Sequence, residues 1–240
     1  MPLEGGADCI LSRSSPMIQN RTRLLLLTVL LGLSFGSPLR AQAQDRTERG
    51  AQLASALSER YGTIHGMRLR FVQTASSAFM DEDERYSGQL AFTDTAYRVT
   101  TSNQTIVTDG KTTWVHNRAE AQVIINDFVE DESSFSLTAF LRSFSKDYAA
   151  TWEGKETLAE EAHDRLRLLP KDDFASFRQV DLWIRASDGL VTRLVALDLN
   201  DVRMEFDLSE LEVNPDLPAD LFRFVTPSGV KVVDLREKKG

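Results

Sequence analysis

The sequence predicts a mainly β protein with helices (α+β): a single strongly curved antiparallel sheet forming an unclosed β-barrel, covered by an α-helical lid. Three observations lead there. Apolar and polar residues alternate in segment after segment from Met67 to Leu235, the period-two signature of half-buried strands. Almost every break between segments is a turn of a few residues, so consecutive segments pair as antiparallel neighbours. Helical periodicity is confined to two stretches, too little to cover the apolar face of a long sheet as a second sheet would. Twist accumulates over such a meander and curls it, leaving a partly closed barrel around an apolar cavity.

The elements follow in order. Thr47 to Tyr61 reads as a helix, with Leu53, Leu57 and Tyr61 on one stripe and Gly62 ending it. Met67, Leu69 and Phe71 then alternate with Arg68 and Arg70 as a strand, and Asp81 to Glu84 makes a solvated loop. Tyr86, Gly88, Leu90 and Phe92 alternate again, and Tyr97 and Val99 open a short strand. Thr105–Thr108 and Thr112–Val115 flank Asp109-Gly110, a strong hairpin signal, and Ala121 to Phe128 is a further apolar strand. From Ser136 the period returns to 3.6, with Leu137, Phe140, Leu141, Phe144 and Tyr148 on one face of a second helix.

Strands resume at Thr151–Leu158 and Arg165–Leu169, stopping at Pro170. Val180, Leu182 and Ile184 form the next strand, which turns at Ser187-Asp188-Gly189. Leu190–Leu199 comes back, turns at Asn200-Asp201 and continues through Met204, Phe206 and Leu208. Leu221–Val225 and Val230–Leu235 are read as closing strands. No linker or repeat interrupts the series, so residues 44–240 form one domain.

The start of the chain has a different character. Arg21 and Arg23 precede the apolar run Leu24–Leu33, and Ala41-Gln42-Ala43 follows it. A basic stretch, a short apolar core and a small-x-small site make residues 1–43 a cleavable signal peptide, with Met17 as an alternative translation start. The apolar core is about half the ~20 residues a membrane-spanning helix requires. Cys9, the single cysteine, lies in this leader, so the exported chain has no disulfide and no cysteine to carry a lipid anchor.

Composition excludes several classes. Across 240 residues, 36 acidic and 28 basic side chains give a formal charge of −8, the wrong sign for gripping phosphates, so no nucleic acid is expected as a partner. The sequence has no nucleophile elbow, phosphate loop, dinucleotide fingerprint or zinc-protease motif. His65, His116 and His163 are far apart and read as surface or loop residues. No catalytic residue, metal site or cofactor is predicted, and the chain is read as a non-enzyme.

Several short motifs recur in a recognisable order: Phe71-x-Gln73, Gly88-x-Leu90, Val107-x-Asp109-Gly110-Lys111 with Trp114, Asp198, and Asn214 leading to Phe222-x-Phe224-x-x-Pro227-x-Gly229. Behind a cleavable leader this series resembles the outer-membrane lipoprotein carrier (LolA) family over essentially the whole mature chain. The resemblance implies an unclosed barrel with a helical lid that ferries lipoproteins through the periplasm. It implies acylated lipoproteins and an inner-membrane ABC-type release complex as partners, leaves open an outer-membrane acceptor, and suggests a monomer. Members carry an Arg-Pro pair after the second strand whose arginine latches the lid. Here that place reads Thr93-Asp94-Thr95, and Arg98 is the substitute latch.

On this reading Leu69, Phe71, Leu90, Phe92, Val99, Val123, Ile125, Leu182, Ile184 and Phe206 line the acyl-chain cavity. Leu137, Phe140, Leu141, Phe144 and Tyr148 form the underside of the lid. The alternative is a regulatory module of the RseB kind, a similar half-barrel that senses mislocalised lipoproteins.

Overall fold

The computed structural model describes residues 38–78, 82–128, 140–141, 143–173, 175 and 177–236. The chain divides into two units, 1–36 and 37–240, and every described residue belongs to the second.

Helix α1 (Pro38–Gly62) buries Ala54, Leu57 and Tyr61, one stripe of a 3.6-residue period. Its start is fixed by arginines. Arg46 donates to the Glu153 carbonyl (3.1 Å), and the Arg49 guanidinium lies 4.1 Å from the centre of the Trp152 ring. Midway, Gly50 lets the helix touch the sheet backbone, since a Cβ there would sit 2.6 Å from the Ala150 carbonyl oxygen. At the far end the Tyr61 hydroxyl accepts from the Val191 N–H. Burial pushes that hydroxyl's pKa up to about 12.

Among the described residues twelve strands follow: β1 (Gly66–Ser76), β2 (Glu84–Thr93), β3 (Tyr97–Thr101), β4 (Gln104–Thr108), β5 (Thr112–Asn117), β6 (Gln122–Asp127), β7 (Tyr148–Leu158), β8 (Glu161–Pro170), β9 (Phe177–Arg185), β10 (Val191–Asp198), β11 (Arg203–Val213) and β12 (Lys231–Asp234). They form a single unclosed sheet in the order β12-β6-β5-β4-β3-β2-β1-β11-β10-β9-β8-β7. The chain thus folds as two meanders, β2–β6 and β7–β11, joined where β1 pairs with β11, Phe71 opposite Leu208. Gly110 (φ +84°) lets the chain turn between β4 and β5, as the Asp109-Gly110 pair predicts.

One continuous core gathers α1, Leu141, Phe144 and Tyr148 with Met67 and Leu69 of β1, Leu166 and Leu168 of β8, Leu182 of β9 and Leu194 of β10. The fold is therefore mainly β, a single curled sheet left open between β12 and β7.

Three sequence expectations need correction. The second helix does not reach Tyr148. Phe140, Leu141 and Ser143 are helical, but the chain then turns and Tyr148 opens β7 opposite Pro170. Ser136, Leu137 and Arg142 lie outside the described residues. The expected strand Leu221–Val225 is replaced by a 3-10 turn over Ala219–Phe222, because Pro218 and the short spacing of Leu221 and Phe222 favour one tight turn over an extended run. Lastly, β12 runs parallel to β6, Val233 opposite Ile124, so the sheet is antiparallel everywhere except at that edge.

Candidate functional site

Directly paired residues on neighbouring strands point their side chains to the same face, so the register sorts the sheet into two surfaces. Leu69 pairs with Leu90, Leu90 with Val99, Val99 with Ile106, Ile106 with Val115, Val115 with Ile124 and Ile124 with Val233. These seven residues form one apolar row running across seven strands on the core-facing side. Leu69 is buried; the other six are half-buried.

Uncharged polar residues flank the row on both sides. Two positions along each strand lie Tyr97, Thr108, Thr113 and Asn126 on one side. Gln104, Asn117 and Gln122 lie on the other, ending at Lys231. Each strand from β4 to β6 thus presents polar, apolar, polar on its inner face. Burial raises the pKa of the Tyr97 hydroxyl. At the β2 end, Phe71 lies over Gly88, where a Cβ would come within 2.9 Å of the ring.

The sequence-predicted cavity residues divide into three groups. Leu90 and Val99 belong to the row, with Leu69 at its buried end and Phe71, Phe92 and Phe206 on the same face. Leu182 and Ile184 are fully packed among α1, β8 and β10. Val123 and Ile125 face the other way: they pair with His116 and Trp114, on the outer surface with Val107. The run Val123-Ile124-Ile125 is apolar on both faces, so alternation alone does not choose between them. Ile106, Val115, Ile124 and Val233 are missing from the expected set. Counting pairs outward from the Asp109-Gly110 turn places Ile106 and Val115 on one face, a signal that the sequence does carry.

Part of the outer surface of β2–β6 is covered by the segment after β11. Phe222, Ala91 and Ala96 form a small second core with Leu217 and Leu221, and Phe224 stacks on Trp114 at 6.3 Å. Arg98 holds this strap: its Nε donates to the Leu221 carbonyl (2.6 Å) and its Nη2 to the Arg223 carbonyl (3.1 Å). The expected lid latch therefore engages the C-terminal segment, on the face opposite the row. A cleft of about 470 Å³ opens there between Trp114, Phe222 and Phe224.

Of the expected lid residues, Leu137 lies outside the described residues, and Phe140 packs on Phe144, Tyr148 and Phe177. Leu141, Phe144 and Tyr148 are themselves buried in the main core.

The histidines do not form a site. His163 is not at the surface as expected; it is buried, its Nδ1 donating to the Glu161 carbonyl (2.9 Å) and its Nε2 bonded to the Thr192 hydroxyl (2.8 Å). Among the described residues no group of three His, Cys, Asp or Glu could hold a metal ion, and no helix is long and apolar enough to cross a membrane. Elsewhere, charged groups pair with one another on the outer face of β8–β11. Asp181 accepts from Arg167 (3.0 Å) and Gln179 (2.6 Å). The Trp183 indole N–H, followed by Arg165, holds Glu156 below the usual carboxylate range.

Comparison with known proteins adds a family. The profile of the outer membrane lipoprotein carrier protein LolA matches residues 62–225. A relative from Nitrosomonas europaea, an outer-membrane lipoprotein carrier protein, is 27% identical over 214 residues, 88% of this chain and 98% of its own. One of the same name from Xanthomonas oryzae pv. oryzae is 30% identical over 71% of this chain and 82% of its own. Among solved structures, an uncharacterized conserved protein from Thermus thermophilus superposes with a TM-score of 0.50. It is 14% identical over 78% of this chain and 99% of its own, which shows a shared fold.

Proposed function

This chain belongs to the LolA family of outer membrane lipoprotein carrier proteins, and on that footing we propose that it shelters lipoprotein acyl chains against the inner face of β1–β6 and β12. The observation that carries this reading is the in-register row from Leu69 to Val233, apolar in every strand yet half-buried from Leu90 onward.

The energetics explain why such a surface is needed. Each methylene removed from water contributes about 0.8 kcal/mol, so one chain of some fifteen methylenes costs roughly 12 kcal/mol to expose. A carrier offsets that cost with apolar contact of its own. It also keeps the cargo removable, and a half-buried row answers both demands better than a sealed core. The sequence has no phosphate loop, so on this reading loading draws on a partner, the inner-membrane ABC-type release complex, with delivery toward the outer membrane.

The reading places the protein in the periplasm as a monomer, after cleavage behind Ala43. Cleavage there would leave α1 starting at Gln44, with the anchoring contacts of Arg46 and Arg49 intact.

The test is co-purification. Protein recovered from the periplasm should carry acylated polypeptide detectable by mass spectrometry. Ile106→Glu, placed in mid-row, should keep its thermal unfolding transition and lose the bound lipoprotein at least tenfold. A folded Ile106→Glu protein that still carries wild-type amounts of acylated cargo would overturn the assignment of this surface.

A further inference from the structure

We infer that the row holds one acyl chain stretched across the strands, with its methyl end toward Leu69 and its polar end leaving at β12. The inference rests on the acyl-carrier reading above and adds direction, course and length to it.

Three features of the row carry it. The first is length. Neighbouring strands lie about 4.8 Å apart, so Leu90 to Val233 spans about 24 Å. An extended hydrocarbon advances roughly 1.25 Å per carbon, as follows from a C–C bond of ~1.52 Å at ~111°. A chain of sixteen to eighteen carbons, about 19–21 Å from end to end, therefore fits within that stretch and covers most of it.

The second is course. The rows Tyr97–Thr108–Thr113–Asn126 on β3–β6 and Gln104–Asn117–Gln122 on β4–β6 border the apolar row about 7 Å to either side along those strands. A methylene displaced onto either border would desolvate hydroxyl or amide groups without supplying a hydrogen bond. The chain is thereby kept perpendicular to the strands and not left to coil in a broad pool.

The third is polarity. Leu69, at the β1 end, is buried against the main core. At the other end β12 is an edge strand, where Lys231 and Val232 are exposed and Val233 alone is half-buried. Lys231 closes the amide row on the same face, opposite Gln122, and offers an ammonium to a polar or anionic chain end. The gradient from dry to wet sets the direction of the chain.

Paramagnetic broadening reads the arrangement directly. The protein, labelled with ¹³C at Leu, Ile and Val methyls, is titrated with stearate bearing a nitroxide at carbon 5 or at carbon 16. The carbon-5 label should broaden Val233 and Ile124 most, and the carbon-16 label Val99 and Leu90. A reversed order overturns the direction, and two labels that broaden the same methyls overturn the extended course. Either result leaves acyl binding itself intact. No broadening anywhere on the row, in protein with a native spectrum, overturns the carrier surface as well.

Leu90→Glu supplies a second measurement. It should weaken an eighteen-carbon fatty acid about tenfold more than a ten-carbon one, since the shorter chain, with its carboxylate at Lys231, spans only the Val233 to Val115 end. Equal weakening of both would mean a common pool in place of a row.

Discussion

On β8–β10 the inward side chains Leu166, Leu168, Val180, Leu182, Val191 and Leu194 are fully buried, whereas Ile106, Val115 and Ile124 occupy equivalent inward positions on β4–β6 and stay half-buried. The outer faces show the opposite. Outside β8–β11 lies a lattice of ion pairs around Asp181 and Trp183. Outside β4–β6, Val107 and Val123 are fully buried near the C-terminal strap. The dry side of one continuous sheet thus changes over between its halves. What decides it is which face receives a partner: α1 covers the inside of one half, and the strap covers the outside of the other. A strand supplies alternation; its covering element decides which face becomes core.

The contrast can be tested by substitution on both sides, beginning with the largest effect. Leu194→Ala, in the sealed half, should cost about 3–5 kcal/mol in urea unfolding, the range for a buried leucine that leaves a cavity. Val115→Ala, on the row, should cost under about 1 kcal/mol. Comparable losses at the two sites would erase the distinction between the sealed core and the half-buried row.

The next effect is alkaline. Tyr61 keeps its proton up to about 12 in the fold and releases it near 10 when unfolded. A pKa raised by folding gives stability that is complete below pH 10 and is lost between pH 10 and 12. The lost stability amounts to about 2–3 kcal/mol. Burial raises Tyr148 and Tyr97 in the same direction. Tyr61→Phe should be less stable at neutral pH, because the Val191 N–H loses its acceptor. It should also fall less steeply on alkaline titration; an unchanged slope would remove Tyr61 from the account.

The smallest effect is local. Arg98→Met removes the donors to Leu221 and Arg223, worth about 1–3 kcal/mol to the strap. Hydrogen exchange should accelerate over residues 219–225 while α1 keeps its protection. Loosening of α1 by the same change would mean that the two covers are not separate.

Most of the architecture is legible because the strands obey simple rules. Met67-Leu69-Phe71 alternate against Arg68 and Arg70 since only one face of β1 is dry, and Asp109-Gly110 marks its hairpin through a residue that tolerates positive φ. Legibility fails where a neighbour from elsewhere in the chain sets the outcome. The Ala159-Glu160 turn between β7 and β8 holds both residues at positive φ, 48° and 66°, with no glycine or asparagine to announce it. Val123-Ile124-Ile125 shows no alternation because the strap dries the outer face while the inner one carries the row. The parallel pairing of β12 is set by the strap's path over the outer face, which period-two patterning does not encode. His163 is drawn inside by Thr192 and the Glu161 carbonyl, partners that its local sequence only half reveals.

The pairing of β1 with β11 gives the molecule an order of assembly. The hairpins β2 to β6 join residues close in sequence, so they can zip early as the polypeptide is made. The seam between β1 and β11 unites the two ends of the meanders, Met67 with Val213, and such a distant closure is slow. Until nearly all of the chain is made, α1 has no complete sheet to rest on, and the apolar residues of both halves stay exposed. On the proposed reading, a carrier built this way first needs the kind of protection that it would later give to others.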